Sequence, residues 1–279
     1  MERINDITQL KKKAIDLRKD ILTMLEKAGG GHTGGSLSIV EILVALYYRQ
    51  INVDVATFDR RDRDKFILSK GHGCPALYAV LADLGFFPKE LLWTLRELGS
   101  PLQGHPQFGL PGLEASSGSL GQGLSIAVGI ALADRIDKLR TRIYCLMGDG
   151  ETNEGQVWEA AMTAAHYDLG NLCGIIDHNK LQIDGKCCEV MDLGEYRRKW
   201  EDFGWHTIET DGHDFNELEK AFSEAAKIKD KPQMIIAHTV KGKGVSFIEN
   251  QVGWHGIAPK KDELEKALAE LEAAKKKIS

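Results

Sequence analysis

The sequence predicts an α/β fold in which a parallel sheet is covered by helices on both faces. From residue 141 onward, short apolar runs alternate with longer segments of helical periodicity, as in chains built from βαβ units. The predicted strands are 141–147, 172–177, 205–210 and 233–239, and the helices between them are 157–169, 192–203 and 214–228. Because ligands of such sheets bind at the carboxyl ends of the strands, the loops after these strands are candidate sites.

The part of the chain before residue 141 predicts several helices, one short strand and a long loop. Apolar residues three and four positions apart between Ile7 and Leu25 indicate an amphipathic helix, which the glycines at 29–31 end. Further helices are predicted at about 39–48, 76–84 and 124–133 and after Pro88, and a strand is predicted at 65–69. The stretch 99–123 is rich in glycine and contains three prolines, and because it leads directly into an apolar helix we expect it to be ordered.

The last predicted element is a charged helix at 261–277 that carries Leu264, Leu268 and Leu271 on one face. This face either packs on the rest of the chain or leads toward a partner. A chain of 279 residues can hold one large α/β domain or two small ones. Because no repeat, low-complexity segment or clear linker interrupts it, we expect residues 1–279 to form a single domain.

Composition and charge exclude several classes of protein. A net charge of −5 with scattered lysines argues against a nucleic-acid-binding protein. The sequence has no run of about 18 apolar residues and no apolar signal core at its N-terminus, so we expect a cytoplasmic protein with no membrane partner. The sequence has five cysteines, which show no metal-binding spacing: Cys74, Cys145, Cys173, Cys187 and Cys188. Cys145 and Cys173 lie in strand-like runs, so we expect buried, reduced thiols.

An acid stands between two glycines directly after the predicted strand 141–147, in the sequence Gly148-Asp149-Gly150. Glycine-rich turns at such positions bind phosphate through backbone N–H groups, and a carboxylate there would repel the ligand. A bound Mg²⁺ or Ca²⁺ resolves the conflict, because it can contact both the carboxylate and a diphosphate. Asn179 follows the next predicted strand, one βαβ step of 30 residues later, and supplies a second oxygen ligand.

Several motifs together resemble the thiamine diphosphate enzymes, and within them the transketolases. The thiamine diphosphate motif is GDG followed after about 30 residues by Asn, as in residues 148–179. The other matching segments are GGHTGG (30–35), LSKGHG (68–73), GHP (104–106), SGSLGQG (117–123), GDGETNEGQVWEA (148–160), DHNKLQIDG (177–185), FGWH (203–206) and WHGIAP (254–259). The resemblance covers almost the whole chain and implies the diphosphate-binding domain of the thiamine diphosphate fold.

The resemblance implies a role for individual residues of this sequence. The metal ligands would be Asp149, Asn179 and the backbone carbonyl of Leu181, completed by diphosphate oxygens and water. Cofactor contacts would come from His72, Gly118, Ser119, Leu120, Gly150, Asn179, Ile183, Lys241 and His255. The catalytic residues would be His32, His105, His255 and Glu154, of which His32 and His105 would bind sugar hydroxyls. Glu154, with Glu159, would join a carboxylate cluster at a subunit interface, although acids are also favoured in the first turn of any helix.

One position departs from the family and one domain is expected elsewhere. Gly35 stands where some transketolases carry a hydroxyl residue, so a side-chain contact is missing. In transketolases a second α/β domain supplies the glutamate that bonds the cofactor's pyrimidine ring, and the 24 residues after His255 are too few to form it. We therefore expect a split transketolase that acts on sugar phosphates, with the pyrimidine-side domain on a separate C-terminal subunit. Apolar surface around Leu120 and Ile183 would be covered in a tetramer of two plus two chains.

The sequence disfavours three alternative functions. A subunit of a 2-oxoacid dehydrogenase would share the GDG and Asn motif, but His32 and His105 argue against it. A catalytically silent cofactor-binding subunit would have no need to retain Asp149, Asn179 and His255. A nicotinamide oxidoreductase is disfavoured because the turn lacks the G-x-G-x-x-G fingerprint and contains an acid.

Overall fold

A five-stranded sheet in which all neighbouring strands are parallel forms the centre of the molecule. The computed structural model describes residues 3–278. The strands are β1 Lys65–Leu68, β2 Ile143–Gly148, β3 Leu172–His178, β4 Leu181–Gln182, β5 Gly185–Lys186, β6 His206–Asp211 and β7 Gln233–His238. The order in the main sheet is β1-β2-β3-β7-β6, and β4 and β5 form a separate antiparallel hairpin directly after β3.

Ten α-helices surround the sheet in the described chain, with short π- and 3₁₀-helical segments between them. The α-helices are α1 Ile7–Ala28, α2 Thr33–Leu37, α3 Val40–Ala45, α4 Cys74–Asp83, α5 Gln122–Ile136, α6 Gly155–His166, α7 Cys187–Val190, α8 Tyr196–Asp202, α9 Phe215–Lys227 and α10 Lys261–Lys276. Local chemistry sets the ends of the first helix. The Asp6 side chain accepts a hydrogen bond from the Thr8 N–H, and Gly29 ends α1 in the left-handed conformation that favours glycine.

The two faces of the sheet are covered by different helices, which gives the fold two hydrophobic cores. Residues from α1, α3, α4 and α9 fill one core, and residues from α5, α6 and α8 fill the other. Side chains of β2 alternate between them, with Tyr144 and Leu146 in the first core and Cys145 and Met147 in the second. Because β2 is buried on both faces, its sequence is a nearly continuous apolar run. The predicted parallel sheet with helices on both faces is therefore confirmed.

Most predicted elements are present, and three predictions need correction. The segment after Pro88 forms only a 3₁₀-helix, Lys89–Thr94, and not an α-helix. The predicted helix 192–203 is shorter, because α8 begins at Tyr196 and a single turn, α7, precedes it. The predicted helix at 39–48 changes from α- to π-helical geometry after Ala45. The hairpin of β4 and β5 was not predicted, because two-residue strands have too little sequence pattern to detect.

The remaining sequence predictions concern the last helix, the long loop and the cysteines. The apolar face of α10 packs on α1, with Leu264 and Leu271 buried, so the packed alternative is confirmed. The loop preceding α5 contains no helix or strand after the 3₁₀-helix at 89–94, and its Leu102 and Leu113 lie in the core. All five cysteines are free thiols, and those within β2 and β3 are fully buried. Between residues 3 and 278, no helix is both long enough and apolar enough to span a lipid bilayer.

We expect alanine to have opposite effects at two glycines of α5. A Cβ on Gly123 would lie 2.4 Å from the Cβ and Oγ atoms of Ser69, so α5 and the end of β1 would have to separate. Overpacking of this kind costs about 1–3 kcal/mol. Gly129 is exposed, and a Cβ there would meet no neighbouring group within 4 Å, so alanine should stabilise the helix by about 0.5–1 kcal/mol. Urea unfolding of Gly123→Ala and Gly129→Ala measures both effects, and equal stabilities would contradict this close contact.

Candidate functional site

Asp149 and Asn179 lie side by side at the carboxyl ends of two neighbouring strands, as their spacing predicts. Gly148 of β2 is in register with Asp177 of β3, and the Asp149 N–H donates to the Asp177 carbonyl at 3.2 Å. The Asp149 carboxylate accepts hydrogen bonds from the backbone N–H groups of Gly150 at 2.8 Å and Lys180 at 2.5 Å. Parallel pairing of β2 and β3 therefore brings the two proposed metal ligands to one edge of the sheet.

A cavity of about 230 Å³ opens at this edge and collects most of the residues predicted from the sequence. The predicted residues that line it are His32, His72, His105, Gly118, Leu120, Asp149, Gly150, Asn179, Leu181, Ile183, Lys241 and His255. Two predicted residues, Ser119 and Glu154, are exposed and do not line it. Ser119 does not line the cavity, although both of its neighbours in the chain, Gly118 and Leu120, do. Glu154 lies immediately before α6, outside the cavity.

Four histidines from separate loops form one cluster in the cavity wall. The ring centroid of His32 lies 5.2 Å from that of His72, 5.9 Å from that of His105 and 5.6 Å from that of His255. Burial, together with neighbouring histidines and cations, lowers the pKa of His32 to about 4 and that of His255 to about 3. Burial also lowers the pKa of His72 and of His105. The cluster is therefore uncharged at neutral pH and can donate or accept hydrogen bonds.

The cavity contains polar atoms that the chain itself does not satisfy. The buried Nδ1 of His32 and Nε2 of Gln182 have no hydrogen-bond partner in the described residues. Both residues line the cavity, and Gln182 packs so close to Gly150 that a Cβ there would lie 3.0 Å from the Gln182 Cβ. Buried groups without partners are rare in folded proteins unless a ligand or water meets them. The cavity thus has the properties of a binding site for a polar molecule.

Two ionisable side chains of opposite charge line the cavity, Asp149 and Lys241. Burial and the charge of Asp177 raise the pKa of Asp149 to about 6, which means that no cation of the chain compensates this carboxylate fully. Burial and the charge of Lys70 lower the pKa of Lys241 to about 8, although Asp177 and Asp149 oppose this. The Lys241 Nζ lies 2.8 Å from the His255 Nδ1 and 3.4 Å from the Leu181 carbonyl oxygen. A cation beside Asp149 and an anion beside Lys241 would both be favoured.

The oxygen atoms near Asp149 suit a hard metal ion but do not complete its coordination. Asp149 and Asn179 offer a carboxylate and an amide oxygen, and Leu181 offers a backbone carbonyl. These are the ligand types that Mg²⁺ and Ca²⁺ prefer, and Mg²⁺ commonly takes its remaining ligands from substrate phosphates and water. Between residues 3 and 278, no group of three or more His, Cys, Asp or Glu side chains could hold a metal ion. These residues therefore fit a cation that is shared with a bound phosphate group.

A buried ion pair beneath the cavity was not predicted from the sequence. Asp177 is fully buried and accepts hydrogen bonds from the side chains of Lys70, Thr239, Ser38 at 2.7 Å and Asn179 at 2.9 Å. Although burial opposes it, the charge of Lys70 and these hydrogen bonds lower the pKa of Asp177. The bond from the Asn179 Nδ2 fixes the amide so that its Oδ1, which accepts from the Leu181 N–H, points away from Asp177.

Two further residues at the site were also missed. Glu151 is buried behind the GDG turn, where its carboxylate accepts from the N–H groups of Gly121 at 2.9 Å and Gly148 at 3.0 Å and from the Ser69 hydroxyl. Its position directly after GDG was the available signal. Arg96 is close enough that its charge lowers the pKa of both His32 and His105, after the larger effect of burial. No motif or periodicity marked Arg96.

Comparison with known proteins connects this site to one family. Residues 10–277 match the family model described as transketolase, thiamine diphosphate binding domain. The chain is 46% identical over 264 residues to the 6-deoxy-6-sulfo-D-fructose transketolase subunit SqwG of Clostridium sp. (strain MSTE9), covering 94% of this chain and 96% of that protein. It is 42% identical over 254 residues to an apulose-4-phosphate transketolase subunit of Phocaeicola vulgatus, covering 91% of this chain and 90% of that protein.

Longer proteins match the chain over only part of their length. Transketolase of Mus musculus is 40% identical over 273 residues, which are 96% of this chain and 43% of that protein. The crystal structure of transketolase from Campylobacter jejuni superposes with a TM-score of 0.90 at 30% identity, covering 98% of this chain and 46% of that chain. The chain thus spans less than half of these transketolases but nearly all of the two subunits.

We expect Lys70→Met to destabilise the protein more than loss of the whole ion pair does. Removing Lys70 alone leaves the Asp177 carboxylate buried without its cation, which costs about 3–5 kcal/mol. In Lys70→Met/Asp177→Leu no buried charge is left uncompensated, so part of this loss should be recovered. Unfolding in urea, followed by circular dichroism, gives both free energies. A double variant less stable than Lys70→Met would show that the hydrogen bonds to Asp177, and not its charge balance, dominate.

Proposed function

Because this chain belongs to the transketolase family through its thiamine diphosphate binding domain, we propose that it is the diphosphate-binding subunit of a split transketolase. With a partner subunit it transfers a two-carbon ketol unit from a ketose to an aldose. The observation that carries the proposal is the uncharged cluster of His32, His72, His105 and His255 beside Asp149 and Asn179 in one cavity. Such a cavity combines a cation and phosphate site with hydrogen-bonding groups for hydroxyls.

We assign the metal and diphosphate contacts from the charges of Asp149 and Lys241. Asp149, Asn179 and the Leu181 carbonyl would hold Mg²⁺ or Ca²⁺, with the diphosphate supplying further oxygens. The backbone of Gly150 and the side chains of His72, Lys241 and His255 would contact the diphosphate. Leu120 and Ile183 would border the cofactor's rings, next to Gly118. Ser119 does not line the cavity, so a cofactor contact from it stays a prediction.

Two of the four histidines, His32 and His105, are assigned to the substrate. When bound, thiamine diphosphate would supply a carbanion equivalent that accepts the ketol unit. His32 and His105 would bind sugar hydroxyls, and because they are uncharged they can also accept a proton from one. His255 lies between these two functions, since it contacts Lys241 on one side and the ring of His32 on the other. Gly35 lines the cavity without a side chain, so it offers no hydroxyl contact there.

A partner subunit would complete the active site. The similar proteins of Clostridium and Phocaeicola are named as subunits, which supports a second chain that carries the pyrimidine-side domain. Ile183 is 64% exposed beside the cavity, and such an apolar surface favours burial in an assembly, for which we propose two copies of each chain. Glu154 and Glu159 are exposed near the start of α6, where they remain available for an interface between active sites.

The substrate class proposed is sugar phosphates. One similar protein is named for apulose 4-phosphate and another for 6-deoxy-6-sulfo-D-fructose, both of which are sugars with an anionic group. A 2-oxoacid dehydrogenase subunit is a weaker candidate, because four histidines would then surround a substrate with few hydroxyls. A catalytically silent subunit is also weaker, because it would have no need to keep Asp149, Asn179 and His255, which all line the cavity.

Asp149→Ala should abolish metal-dependent binding of thiamine diphosphate while the fold persists. The carboxylate compensates part of the charge of the ion, which in turn compensates the diphosphate, so metal and cofactor are lost together. Calorimetric titration with thiamine diphosphate in the presence of Mg²⁺ measures this, with Asp230→Ala, an exposed acid away from the cavity, as the control. A variant that binds as tightly as the wild type would rule out the metal assignment.

His105→Ala should lower two-carbon transfer while leaving cofactor affinity nearly unchanged. His105 is exposed, lines the cavity and is assigned to donor hydroxyls. Loss of general acid–base assistance at such a position costs a factor of about 10²–10⁴ in rate. Steady-state kinetics of the complete enzyme and titration with the cofactor separate the two effects. If cofactor binding collapses and the remaining kinetics are normal, His105 belongs to the diphosphate site.

The purified chain should have little or no transketolase activity by itself, whatever concentrations of thiamine diphosphate and Mg²⁺ are added. No residue of the chain is assigned to the hydrogen bond with the pyrimidine ring, and a buried carboxylate there gives electrostatic stabilisation that water cannot replace. Addition of a partner with its own α/β domain should restore activity in a two-carbon transfer assay. Transfer at enzyme-like rates by this chain alone, free of partner, would overturn the split-enzyme proposal.

A further inference from the structure

A second cavity lies at the amino ends of the strands, on the opposite edge of the sheet from the candidate site. Its volume is about 400 Å³, and its walls are the segment between α5 and β2, the turn between α6 and β3, and the turn between α9 and β7. Four basic residues line it, and we call them the basic cradle: Arg135, Arg140, Arg142 and Lys229. Asp168 is the one acid among the lining residues. The length of β2 separates this cavity from Asp149 by about 20 Å.

In the described residues the basic cradle forms no ion pair, although Arg135 donates to the Tyr167 carbonyl and the charge of Arg142 acts on Asp64. Most arginines in residues 3–278 form ion pairs, as Arg18 does with Glu41 and Arg63 with Glu114. Within the same residues, no member of the basic cradle lies within ion-pair distance of a carboxylate. Burial and the charge of Arg142 lower the pKa of Lys229, so the cations repel one another. An anion in the cavity would relieve that repulsion.

The cavity wall also contains buried polar atoms that lack partners. The Arg142 Nη2 donates to the Gln233 Oε1 at 2.7 Å and to the Ala225 carbonyl at 3.3 Å. Its buried Nε and Nη1 have no well-aligned acceptor in the described chain, although the guanidinium also interacts with the side chains of Tyr144 and Cys173. The Asn171 Nδ2 donates to the Ala131 carbonyl at 3.1 Å, while its buried Oδ1 has no donor in residues 3–278. The wall of the cavity therefore has hydrogen-bonding capacity that the described residues do not use fully.

The two turns that form the wall are held in fixed positions. Gly170 packs so tightly on the next turn that a Cβ there would lie 2.0 Å from the Lys229 carbonyl oxygen. The buried Gln233 side chain donates to the carbonyls of Gly170 at 3.2 Å and Lys231 at 2.5 Å, and it accepts from Arg142. Because these bonds cross-link both turns and Arg142, the cavity is formed before any ligand binds, which lowers the entropic cost of binding.

We propose that the basic cradle binds a small phosphate-bearing metabolite, such as a diphosphate or a phosphate ester. Guanidinium groups match phosphate oxygens in geometry and keep their charge at every physiological pH. The volume lies in the range of small-molecule sites and exceeds that of a single phosphate ion. The proposal is independent of the transketolase assignment, since the cavity contains none of the residues proposed for catalysis or cofactor binding.

Calorimetric titration of the purified chain with inorganic pyrophosphate tests the proposal. The buffer contains EDTA, so that no metal ion assists binding at the candidate site. Arg140→Ala/Lys229→Ala should weaken binding at least tenfold, and both residues are exposed and make no side-chain hydrogen bond within the described residues, so the fold should persist. The control is Lys266→Ala/Lys276→Ala, which removes the same charge from the exposed face of α10 and should bind as the wild type does. Circular dichroism checks the fold of each variant.

Two further measurements test where pyrophosphate binds and which anions bind. The first distinguishes this cavity from the candidate site, and the second distinguishes phosphate from other anions. Lys241→Ala should retain the pyrophosphate binding that Arg140→Ala/Lys229→Ala loses. Citrate, which carries similar charge on carboxylates, should bind at least tenfold more weakly than pyrophosphate. The proposal is overturned if the wild type does not bind pyrophosphate, if the cradle variant binds it normally, if Lys241→Ala alone abolishes binding, or if citrate binds equally well.

Discussion

The carboxylate of Asp177 is the point on which the geometry of the site depends. It lies at the end of β3 without contact to solvent, and its four side-chain partners come from the loop after β1, the segment between α2 and α3, the turn after β3 and the loop after β7. Each partner begins or adjoins a segment that lines the cavity. A buried charge is tolerated only when its hydrogen bonds are satisfied. The four hydrogen bonds that the Asp177 carboxylate accepts therefore hold several loops in fixed positions.

A second network fixes the loop that carries Lys241. Arg18 of α1 and Glu41 of α3 form a buried ion pair, and the Arg18 Nε also donates to the Lys243 carbonyl at 2.8 Å. His213 joins them, because its Nε2 accepts from the Val240 N–H at 2.8 Å and its Nδ1 lies 2.9 Å from the Glu41 carboxylate. Burial by itself would raise the pKa of Glu41, but Arg18 and His213 lower it to about 2. Helices far from the cavity thus position a residue inside it.

The fold could be predicted well in those segments whose burial produces an apolar or periodic pattern in the sequence. β2, β3 and β7 are buried on both faces, so they appear as apolar runs and were predicted to within about two residues. The segment after Pro88 was mistaken for an α-helix because a short 3₁₀-helix of six residues carries the same start signal. At the site, strand ends could be aligned from the βαβ repeat, which brought Asp149 and Asn179 together. The pairing of Lys70 with Asp177 left no such trace, because the partners are 107 residues apart and a single contact has no periodicity.

The strand order has a consequence for how the chain folds during synthesis. β7 is the last strand to be made, yet it lies between β3 and β6, and β6 has no other partner in the sheet. Until β7 is inserted, β3 and β6 both present unpaired backbone edges, which are sites for aggregation. Insertion of an internal strand joins distant parts of the chain and is intrinsically slow. The nascent chain therefore exposes two strand edges, and with them a risk of aggregation, for as long as β7 is not in place.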